Sequence, residues 1–408
     1  FYGNAQVQPA NRYLYDALYR LIKATGREHI AQANFGMEDN WSDAHNMVSL
    51  SPNDAIALRN YTQDYDYDPV GNILRMAHNT GVGPNQEQWT RRYGYAPDSN
   101  RLLRSSVGKP NPSNTYQYSY NEHGSMAAMP HLAQIDWNFK EEMHHLNLGG
   151  GGEAWNCYDA GGQRMRKVVE HPGGLIRERI YISNGYEIFR ERQGEDLLTE
   201  RGTVHIMDDK QRLAMVDTET RLDTSTLGRI FRRRTNPERT IRYQYANHLG
   251  TACLELDETA RVISYEEYHP YGTTAYQAMN KDIRAAAKRY RYTGMERDEE
   301  SGLNYHSERY YAPWLGRWCS TDPSGINGGF GLFSYANSNP INLIDVNGKW
   351  PTLSNLIERV ENARQSFAET PAAHYIRGAI YGAAEAFSPV VLPTPSNSTR
   401  EFEQARGI

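Results

Sequence analysis

The sequence contains few cysteines, no long apolar runs and no excess of basic charge. Its 408 residues include three cysteines, Cys157, Cys253 and Cys319, an odd number at wide spacing that provides neither a disulfide framework nor a paired metal motif. The mean hydropathy is −0.76, which excludes a polytopic membrane protein. Lysine and arginine number 44 against 49 acidic residues, so a dedicated nucleic-acid binder is not expected.

The start of the sequence also lacks a targeting pattern. It begins Phe1-Tyr2-Gly3 and has no basic segment followed by an apolar one, so no signal peptide is recognised. We therefore expect the sequence to be a piece of a longer protein. The apolar stretches are too short, or carry too many charges, for a stable membrane span.

Tyrosine is the residue type in which the sequence is rich, with 29 tyrosines against 10 phenylalanines. A unit recurs in which alternating aromatic residues precede Asp or Asn, a turn residue and a basic or aliphatic restart. Its copies occupy residues 13–21, 65–74, 93–102, 116–124 and 155–164. Alternating aromatics place rings on one face of a strand, and the Asp or Asn with Gly that follows suits a tight turn. Each unit therefore predicts a β-hairpin corner.

Alternation with a period of two continues beyond these units. It predicts one long antiparallel β array from residue 12 to about residue 320. The main interruption lies at residues 275–288, where the run Ile283-Arg284-Ala285-Ala286-Ala287-Lys288 has helical propensity. This run predicts one short surface helix.

These patterns resemble a known family. The Tyr-Asp units are similar to the YD repeats of RHS proteins. Residues 268–272 and 291–318, which include Tyr-His-Pro-Tyr-Gly and Leu-Gly-Arg-Trp, closely resemble the RHS repeat-associated core domain. The two resemblances together cover about residues 1–350. The N-terminal part is most similar to the C component of insecticidal toxin complexes, or to a bacterial polymorphic toxin of the same family.

The resemblance implies a fold and a domain organisation. The expected fold class is mainly β: a long antiparallel β-ribbon of YD-repeat hairpins coiled into part of a hollow RHS shell, with a short helical C-terminal tail. We expect a YD/RHS-repeat shell segment over residues 1–265 and an RHS repeat-associated core over 266–350. Residues 351–408 would form a helical pre-toxin or linker segment without the toxin itself, because apolar residues there recur at helical spacing. A simple helical cap is the alternative for this tail.

Two aspartates near the end of the core region are the main catalytic candidates. Asp322 and Asp345 each begin an Asp-x-x-Gly turn, and from the residues alone each is an ordinary turn aspartate that bonds its own backbone. The resemblance implies more, because in family members with this core the two aspartates form a self-protease that cuts just beyond the second turn. Two close carboxylates that share one proton can supply both the base and the acid for peptide hydrolysis.

The residues after the second turn set the expected cleavage site. We expect the cut between Lys349 and Trp350, with the bond between Trp350 and Pro351 as the alternative. The family usually shows Asp-Pro-x-Gly-Leu here, so Val346 and Lys349 depart from its pattern, and a slow or silent site is the other expectation. Arg317 could hold a carboxylate or the scissile carbonyl by a forked hydrogen bond, or form a structural ion pair.

The remaining motifs favour structural interpretations. No histidine pair has metal-ligand spacing beside a third fixed ligand. The histidines considered and interpreted as strand or turn residues are His123, His131, His144, His145 and His205. The glycine run at 149–152 lacks the Lys-Ser/Thr of a phosphate loop, and no Gly-x-Ser-x-Gly elbow occurs. We expect no cofactor and no metal.

The resemblance implies a toxin-delivery function. The expected protein encapsulates a C-terminal toxin and releases it by intramolecular aspartic autoproteolysis just after residues 348–350. Its expected partners are its own C-terminal toxin segment, the remaining N-terminal shell or a B-type shell component, and a secretion or injection apparatus; export from bacteria is also implied. Two alternatives stay open: a non-enzymatic structural or adhesion YD-repeat surface protein, and a carbohydrate-binding β-protein that uses exposed tyrosines.

Overall fold

The structure is a computed structural model that describes residues 7–29, 41, 58–80, 88–108, 115–183, 185–208, 211–221, 235–280, 283, 285–325, 330–349 and 352–353. Within these residues the dominant element is the β-strand, and in the two large sheets each strand pairs antiparallel with the next strand of the chain. The described residues up to Thr352 belong to one compact unit, and Leu353 belongs to a second.

The first sheet has seven strands in sequence order. Its strands are β1 Arg12–Tyr15, β2 Leu21–His29, β3 Leu58–Tyr67, β4 Ile73–Thr80, β5 Gln88–Tyr95, β6 Leu102–Val107 and β7 Thr115–Gln117. A two-stranded sheet of β8 Ser119–Tyr120 and β9 Met126–Ala128 follows it. Antiparallel neighbours need only short connections, which is the arrangement that the turn-rich sequence predicts.

The second sheet has twelve strands, again in sequence order. They are β10 Gln134–Trp137, β11 Met143–Asn147, β12 Glu153–Tyr158, β13 Arg164–Glu170, β14 Leu175–Ser183, β15 Tyr186–Gln193, β16 Asp196–Asp208, β17 Gln211–Arg221, β18 Glu238–Ala246, β19 Ala252–Leu256, β20 Val262–Tyr268 and β21 Thr274–Met279. The longest pairing joins β16 to β17.

Shorter elements follow the second sheet. A four-stranded sheet contains β22 Glu296–Arg297, β23 Asn304–Tyr305, β24 Tyr310–Ala312 and β25 Arg317–Trp318. Two 3-10 helices span Tyr292–Gly294 and Tyr335–Ser338, and the last strands are β26 Leu343–Ile344 and β27 Thr352–Leu353. Among the described residues, no helix has the length and apolarity needed to cross a membrane.

The Tyr-Asp units form hairpin corners, and in several of them the aspartate side chain stabilises the corner. Asp68 Oδ1 accepts hydrogen bonds from the backbone N–H groups of Val70 and Asn72, at 3.0 and 2.8 Å. Asp159 Oδ1 accepts from Gly161 and Gln163 in the same pattern. Gly71 in the first of these turns has φ of +95°, a conformation that favours glycine. The predicted corners are therefore confirmed.

In three of the five units a tyrosine bonds its strand to the preceding one. At the end of β3, the Tyr67 hydroxyl donates to the carbonyl of Leu21, the first residue of β2, at 2.7 Å. At the end of β5, the Tyr95 hydroxyl donates at 2.7 Å to the carbonyl of Ile73, which begins β4. The same bond joins Tyr158 to the start of the preceding strand. Phenylalanine could not make this bond, which explains the excess of tyrosine.

An apolar cluster lies between the first sheet, the start of the second sheet and residues 303–319. Its buried members include Leu21, Tyr65, Leu102, Met126, Leu132, Met143, Leu303 and Leu315. Their contact brings the segment that resembles the RHS core against strands more than 200 residues earlier in the chain. This packing holds the end of the core segment in one place.

A charged layer lies on the buried face of the later strands. Its buried members are Arg164, Lys167, Arg179, Glu187, Glu266, Arg291, Glu296 and Asp298. They pair with one another: Arg164 contacts Asp298 at 2.6 Å and Glu296 at 2.8 Å. Buried charges are tolerated when they are paired in this way.

Two of the sequence-based expectations need comment here. The mainly antiparallel β fold is confirmed, but the helix predicted at residues 275–288 is wrong for the described residues. Its first part continues strand β21, where Tyr276 pairs with Glu267, and Lys288 is drawn inward to Glu266 at 2.8 Å. Strand pairing and this ion pair override the local helical propensity.

The predicted domain boundaries stay predictions. Strand β20 runs across the first of them, at 265/266. The amphipathic helix and the rest of the tail, residues 354–408, lie outside the described residues.

Candidate active site: two aspartates joined by one arginine

The first aspartate sits in the turn that follows β25. The Asp322 N–H donates to the carbonyl of Leu332 at 2.9 Å, and Asp322 Oδ1 accepts from the N–H of Ser324 at 2.8 Å. The side chain is 13% exposed. One carboxylate oxygen thus fixes its own turn, as the Asp-x-x-Gly pattern predicts, while Oδ2 is left to face a second partner.

The second aspartate follows β26 and is more deeply buried, with a side chain 1% exposed. Asp345 Oδ1 accepts from the N–H of Lys349 at 3.0 Å. Gly348, between them, has φ of +73°, and a Cβ there would lie 2.9 Å from the carbonyl oxygen of His306. Only glycine fits this close approach, so the turn geometry depends on Gly348.

Arg309 joins the two aspartates. Its Nη2 lies 3.0 Å from Asp322 Oδ2 and 2.9 Å from Asp345 Oδ2. Its Nε donates to the carbonyl of Gly348, and the guanidinium stacks 4.2 Å from the centre of the Trp318 ring. We call Asp322, Arg309 and Asp345 the Asp–Arg–Asp triad. The two carboxylates meet at one nitrogen, directly beside the segment in which cleavage is expected.

Burial and the neighbouring donors act in opposite directions on the pKa of the Asp345 carboxyl. Burial raises the pKa of the Asp345 carboxyl above its ordinary value, against the opposing pull of Arg309 and the backbone donor of Lys349. A raised pKa favours the protonated form of the Asp345 carboxyl.

A buried histidine supports the second aspartate from behind. The His306 Nδ1–H donates to the carbonyl of Asp345 at 2.7 Å, and the ring packs edge-on against Trp318 at 5.0 Å. Burial lowers the pKa of His306 to about 3, so the imidazole is neutral at ordinary pH. His306 therefore positions the backbone of Asp345 without adding charge to the site.

The expected cleavage segment is described only in part. Lys349 is exposed, its ammonium pairs with Glu308 at 2.8 Å, and its carbonyl accepts from the Ser324 hydroxyl at 3.5 Å. Trp350 and Pro351, the other predicted cleavage residues, lie outside the described residues. The chain that leads into the expected site is therefore held from both aspartate turns.

Arg317 is placed elsewhere. Its Nη2 donates to the carbonyl of Asn100 at 2.6 Å, and its guanidinium lies over the rings of Tyr95 and Phe333. Among the described ion pairs, none joins Arg317 to an aspartate. Arg309, rather than Arg317, makes the carboxylate and carbonyl contacts that the sequence analysis considered for Arg317. Arg309 lies within the Glu-Arg-Tyr-Tyr stretch of the core signature, but nothing in its spacing distinguished it from other arginines.

The other candidates are structural where the structure describes them. His145 lies between Asp136 at 2.8 Å and Glu153 at 2.6 Å, and His131 stacks on Trp41. Cys157, Cys253 and Cys319 are free thiols. His145, Cys157 and Cys253 lie in strands β11, β12 and β19, whereas His131 lies in the turn before β10 and Cys319 directly follows β25.

Comparisons with known proteins agree with the fold. The toxin subunit YenC1 of Yersinia entomophaga is 31% identical over 385 residues, 90% of this chain and 36% of the relative. The probable deoxyribonuclease RhsA of Dickeya dadantii is 24% identical over 347 residues, 75% of this chain and 22% of the relative. The crystal structure of TcdB2-TccC3 matches with a TM-score of 0.64 at 28% sequence identity, covering 85% of this chain and 16% of that chain.

No protein-family model matches the chain. The chain spans about a third of the length of YenC1, and the same is true of the second toxin subunit of that organism, YenC2. The fold, the tyrosine-aspartate corners and these similarities lead to one conclusion. Over the part of those proteins that it spans, the chain is an RHS-type protein similar to the C components of toxin complexes.

Proposed function

We propose that the chain is part of a toxin-delivery scaffold, an RHS shell that encloses its own C-terminal toxin segment and frees that segment by cutting itself after Lys349. The observation that carries the cleavage proposal is the Asp–Arg–Asp triad, in which both carboxylates contact one guanidinium nitrogen. A purely structural turn needs only its own aspartate, whereas hydrolysis needs two that meet.

The proposed reaction uses one water molecule. Asp322 removes a proton from the water, whose oxygen attacks the carbonyl carbon of Lys349. Asp345, whose pKa is raised by burial, gives a proton to the leaving amine of Trp350 as the C–N bond breaks. The products are a carboxylate at Lys349 and a free amine at Trp350, so one water is consumed in each cut.

The chain's own contacts support the alignment of this bond. The Gly348 carbonyl accepts from Arg309 Nε and the Lys349 N–H donates to Asp345, so the two residues before the bond are fixed. The Ser324 hydroxyl, 3.5 Å from the Lys349 carbonyl, is a donor for the oxyanion. Because the substrate is part of the same chain, proximity supplies much of the rate and a single turnover suffices.

The scaffold part of the proposal draws on the solved relatives. TccC3 is solved together with TcdB2, which supports a B-type shell component as the partner of this chain. Its own C-terminal toxin would be the cargo, a secretion or injection apparatus would deliver it, and the assembly would be exported from bacteria.

The intact mass of the 408-residue chain tests the cleavage. We expect the wild type to lose residues 350–408, and Asp322→Asn and Asp345→Asn to stay whole. Asp159→Asn is the matched control, since Asp159 makes the same turn bonds and should leave cleavage unchanged. N-terminal sequencing distinguishes a fragment that begins at Trp350 from one that begins at Pro351.

The pH dependence adds a second criterion. Because the pKa of Asp345 is raised, its protonated form extends towards neutral pH and is lost at higher pH. The cleavage rate should therefore fall as the pH rises from 5 to 9. A folded wild type that stays whole over this range, or an Asp322→Asn variant that cuts normally, would reject self-cleavage and favour the structural alternative.

A further inference from the structure

Three potential metal ligands meet far from the triad. Glu28 lies on β2, His78 on β4 and His269 directly after β20, and all three are buried, with 0%, 1% and 3% exposure. Glu28 Oε2 is 3.1 Å from the Nε2 atoms of both histidines. One ligand atom from each residue lies within 4.8 Å of the others. We call these residues the Glu–His–His cluster.

The outward-facing atoms of the cluster are held by other residues. His78 Nδ1 contacts Gln63 Nε2 at 3.1 Å, His269 Nδ1 contacts Thr273 Oγ1 at 3.0 Å, and Glu28 Oε1 accepts from Arg59 Nε at 2.9 Å. Outer contacts orient metal-ligating histidines and carboxylates in proteins. For His78 this requires the Gln63 amide in its turned orientation, with the amide oxygen accepting from the His78 Nδ1–H and the amide nitrogen donating to the Tyr65 hydroxyl. They leave Oε2 and the two Nε2 atoms pointing at one another.

The rings are also fixed by packing. The His78 ring stacks on Trp89, with 5.1 Å between centres and 7° between planes. The His269 ring meets Tyr61 edge-on at 4.7 Å. A site whose ligands are already oriented loses little conformational entropy when an ion binds.

The spacing suits an ion with short bonds. Bonds of about 2.0–2.2 Å at tetrahedral angles place neighbouring ligand atoms roughly 3.3 Å apart, close to the 3.1 Å between Glu28 Oε2 and each histidine. Two imidazole nitrogens with one carboxylate oxygen form a ligand set that zinc accepts, whereas calcium and magnesium prefer oxygen alone.

The surroundings favour a structural ion. A cavity of about 20 Å³, lined by Gln63, His269 and Thr273, lies beside the cluster and has room for one water. It is too small for a substrate. We propose that the Glu–His–His cluster binds one zinc ion, or a similar divalent transition metal, which joins β2 and β4 of the first sheet to the turn after β20.

This proposal is independent of self-cleavage. The alternative for the same geometry is a hydrogen-bonded group in which both imidazoles donate to Glu28 without an ion. The two differ in a simple respect: metal binding would add a link between residues 241 positions apart and would raise the stability of the chain in proportion to metal occupancy.

Metal titration of the full 408-residue chain distinguishes them. After removal of metal by a chelator, Co²⁺ is added and the visible absorption is recorded, then Zn²⁺ is added and the melting temperature Tm is measured. We expect one equivalent of Co²⁺ with the intense bands of a tetrahedral site, displaced by Zn²⁺, and a Zn²⁺-dependent rise in Tm. Glu28→Gln and His269→Gln should each weaken binding at least about a hundredfold.

His145→Gln is the matched control. His145 also contacts two carboxylates, but those are 45% and 37% exposed, and the variant should bind Co²⁺ as the wild type does. If a cluster variant fails to fold, the Co²⁺ spectrum of the wild type and its Zn²⁺-dependent shift in Tm still test whether the chain binds the metal. Absence of stoichiometric binding by the wild type, or tetrahedral bands unchanged in a folded Glu28→Gln, overturns the proposal.

Discussion

The apolar cluster and the charged layer stabilise two parts of one compact unit by opposite means. In the apolar cluster, side chains such as Met126 and Leu303 are fully buried and gain stability from contact area, which is not directional. In the charged layer, Arg164 and Glu296 are almost as buried, yet each must meet its partner in a defined geometry. The first region tolerates exchange of similar shapes, and the second does not.

The defined geometry of the charged layer restricts the register in which its strands can pair. Neighbouring side chains of a strand point to opposite faces, so a slip by one residue would turn the charged layer outward. Arg179 contacts Glu187 at 3.0 Å across β14 and β15, and Tyr181 donates to Glu296 at 2.8 Å. Such contacts exist in one register only. The charged layer therefore contributes specificity to the pairing of these strands.

The strongest way to break the comparison is to neutralise one carboxylate of the charged layer. Glu296→Gln keeps the shape but removes one of the two buried carboxylates that contact each of Arg164 and Arg289, while Asp298 and Glu187 remain. We expect the free energy of unfolding to fall by about 3 kcal/mol. Urea unfolding measures it. The control is Asp66→Asn, whose partner Arg75 is 40% exposed and whose loss should be under about 1 kcal/mol. Equal losses in the two variants would contradict the role of burial.

Acid should weaken the charged layer selectively. Burial alone would raise the pKa of Glu296, but Arg289 and Arg164 outweigh it and hold the pKa well below the ordinary value of 4.5. A carboxyl with a lowered pKa contributes its full stability above pH 4.5 and loses it as the pH falls towards the lowered value.

Urea unfolding of the wild type and of Glu296→Gln, between pH 5 and pH 3, measures this contribution. The wild type should lose about 2 kcal/mol more than the variant over the interval, since each pH unit is worth about 1.4 kcal/mol. Parallel losses would show that Glu296 does not titrate with folding.

The smallest effect is expected from an exchange of shape in the apolar cluster. Met126→Leu replaces a fully buried side chain with one of similar volume, and should cost less than about 1.5 kcal/mol. Urea unfolding of Met126→Leu and of Glu296→Gln measures both losses. Each substitution keeps the approximate size of the side chain, so the two regions are compared on equal terms. A loss as large as that of Glu296→Gln would erase the distinction between them.

Much of the fold could be predicted because its rules are local. A tyrosine before an aspartate and a turn residue specify a hairpin corner within ten residues, and each corner occurs where the pattern places it. The helix at 275–288 failed for a non-local reason, since Glu266 and strand β20 decide that segment. The charged layer was not predicted either, because alternating charges in a strand ordinarily indicate a solvated face.

The candidate site shows the same division. Asp322 and Asp345 could be predicted from their turns with the help of the resemblance, and they do share a contact. Arg309 could not, because it lies thirteen positions before Asp322 and its place at the site depends on tertiary contacts such as the packing on Trp318. Glu28, His78 and His269 belong to three distant segments, and no local spacing links them.

Sequential strand pairing has a consequence for how the protein forms. Because each strand of the two large sheets bonds to its immediate predecessor, and Tyr67, Tyr95 and Tyr158 each bond the strand before their own, a new hairpin can close while the chain is still being synthesised. Local closures are fast and carry little entropic cost. Strand pairing can thus follow synthesis from the N-terminal side, and the packing of residues 303–319 against both sheets comes afterwards.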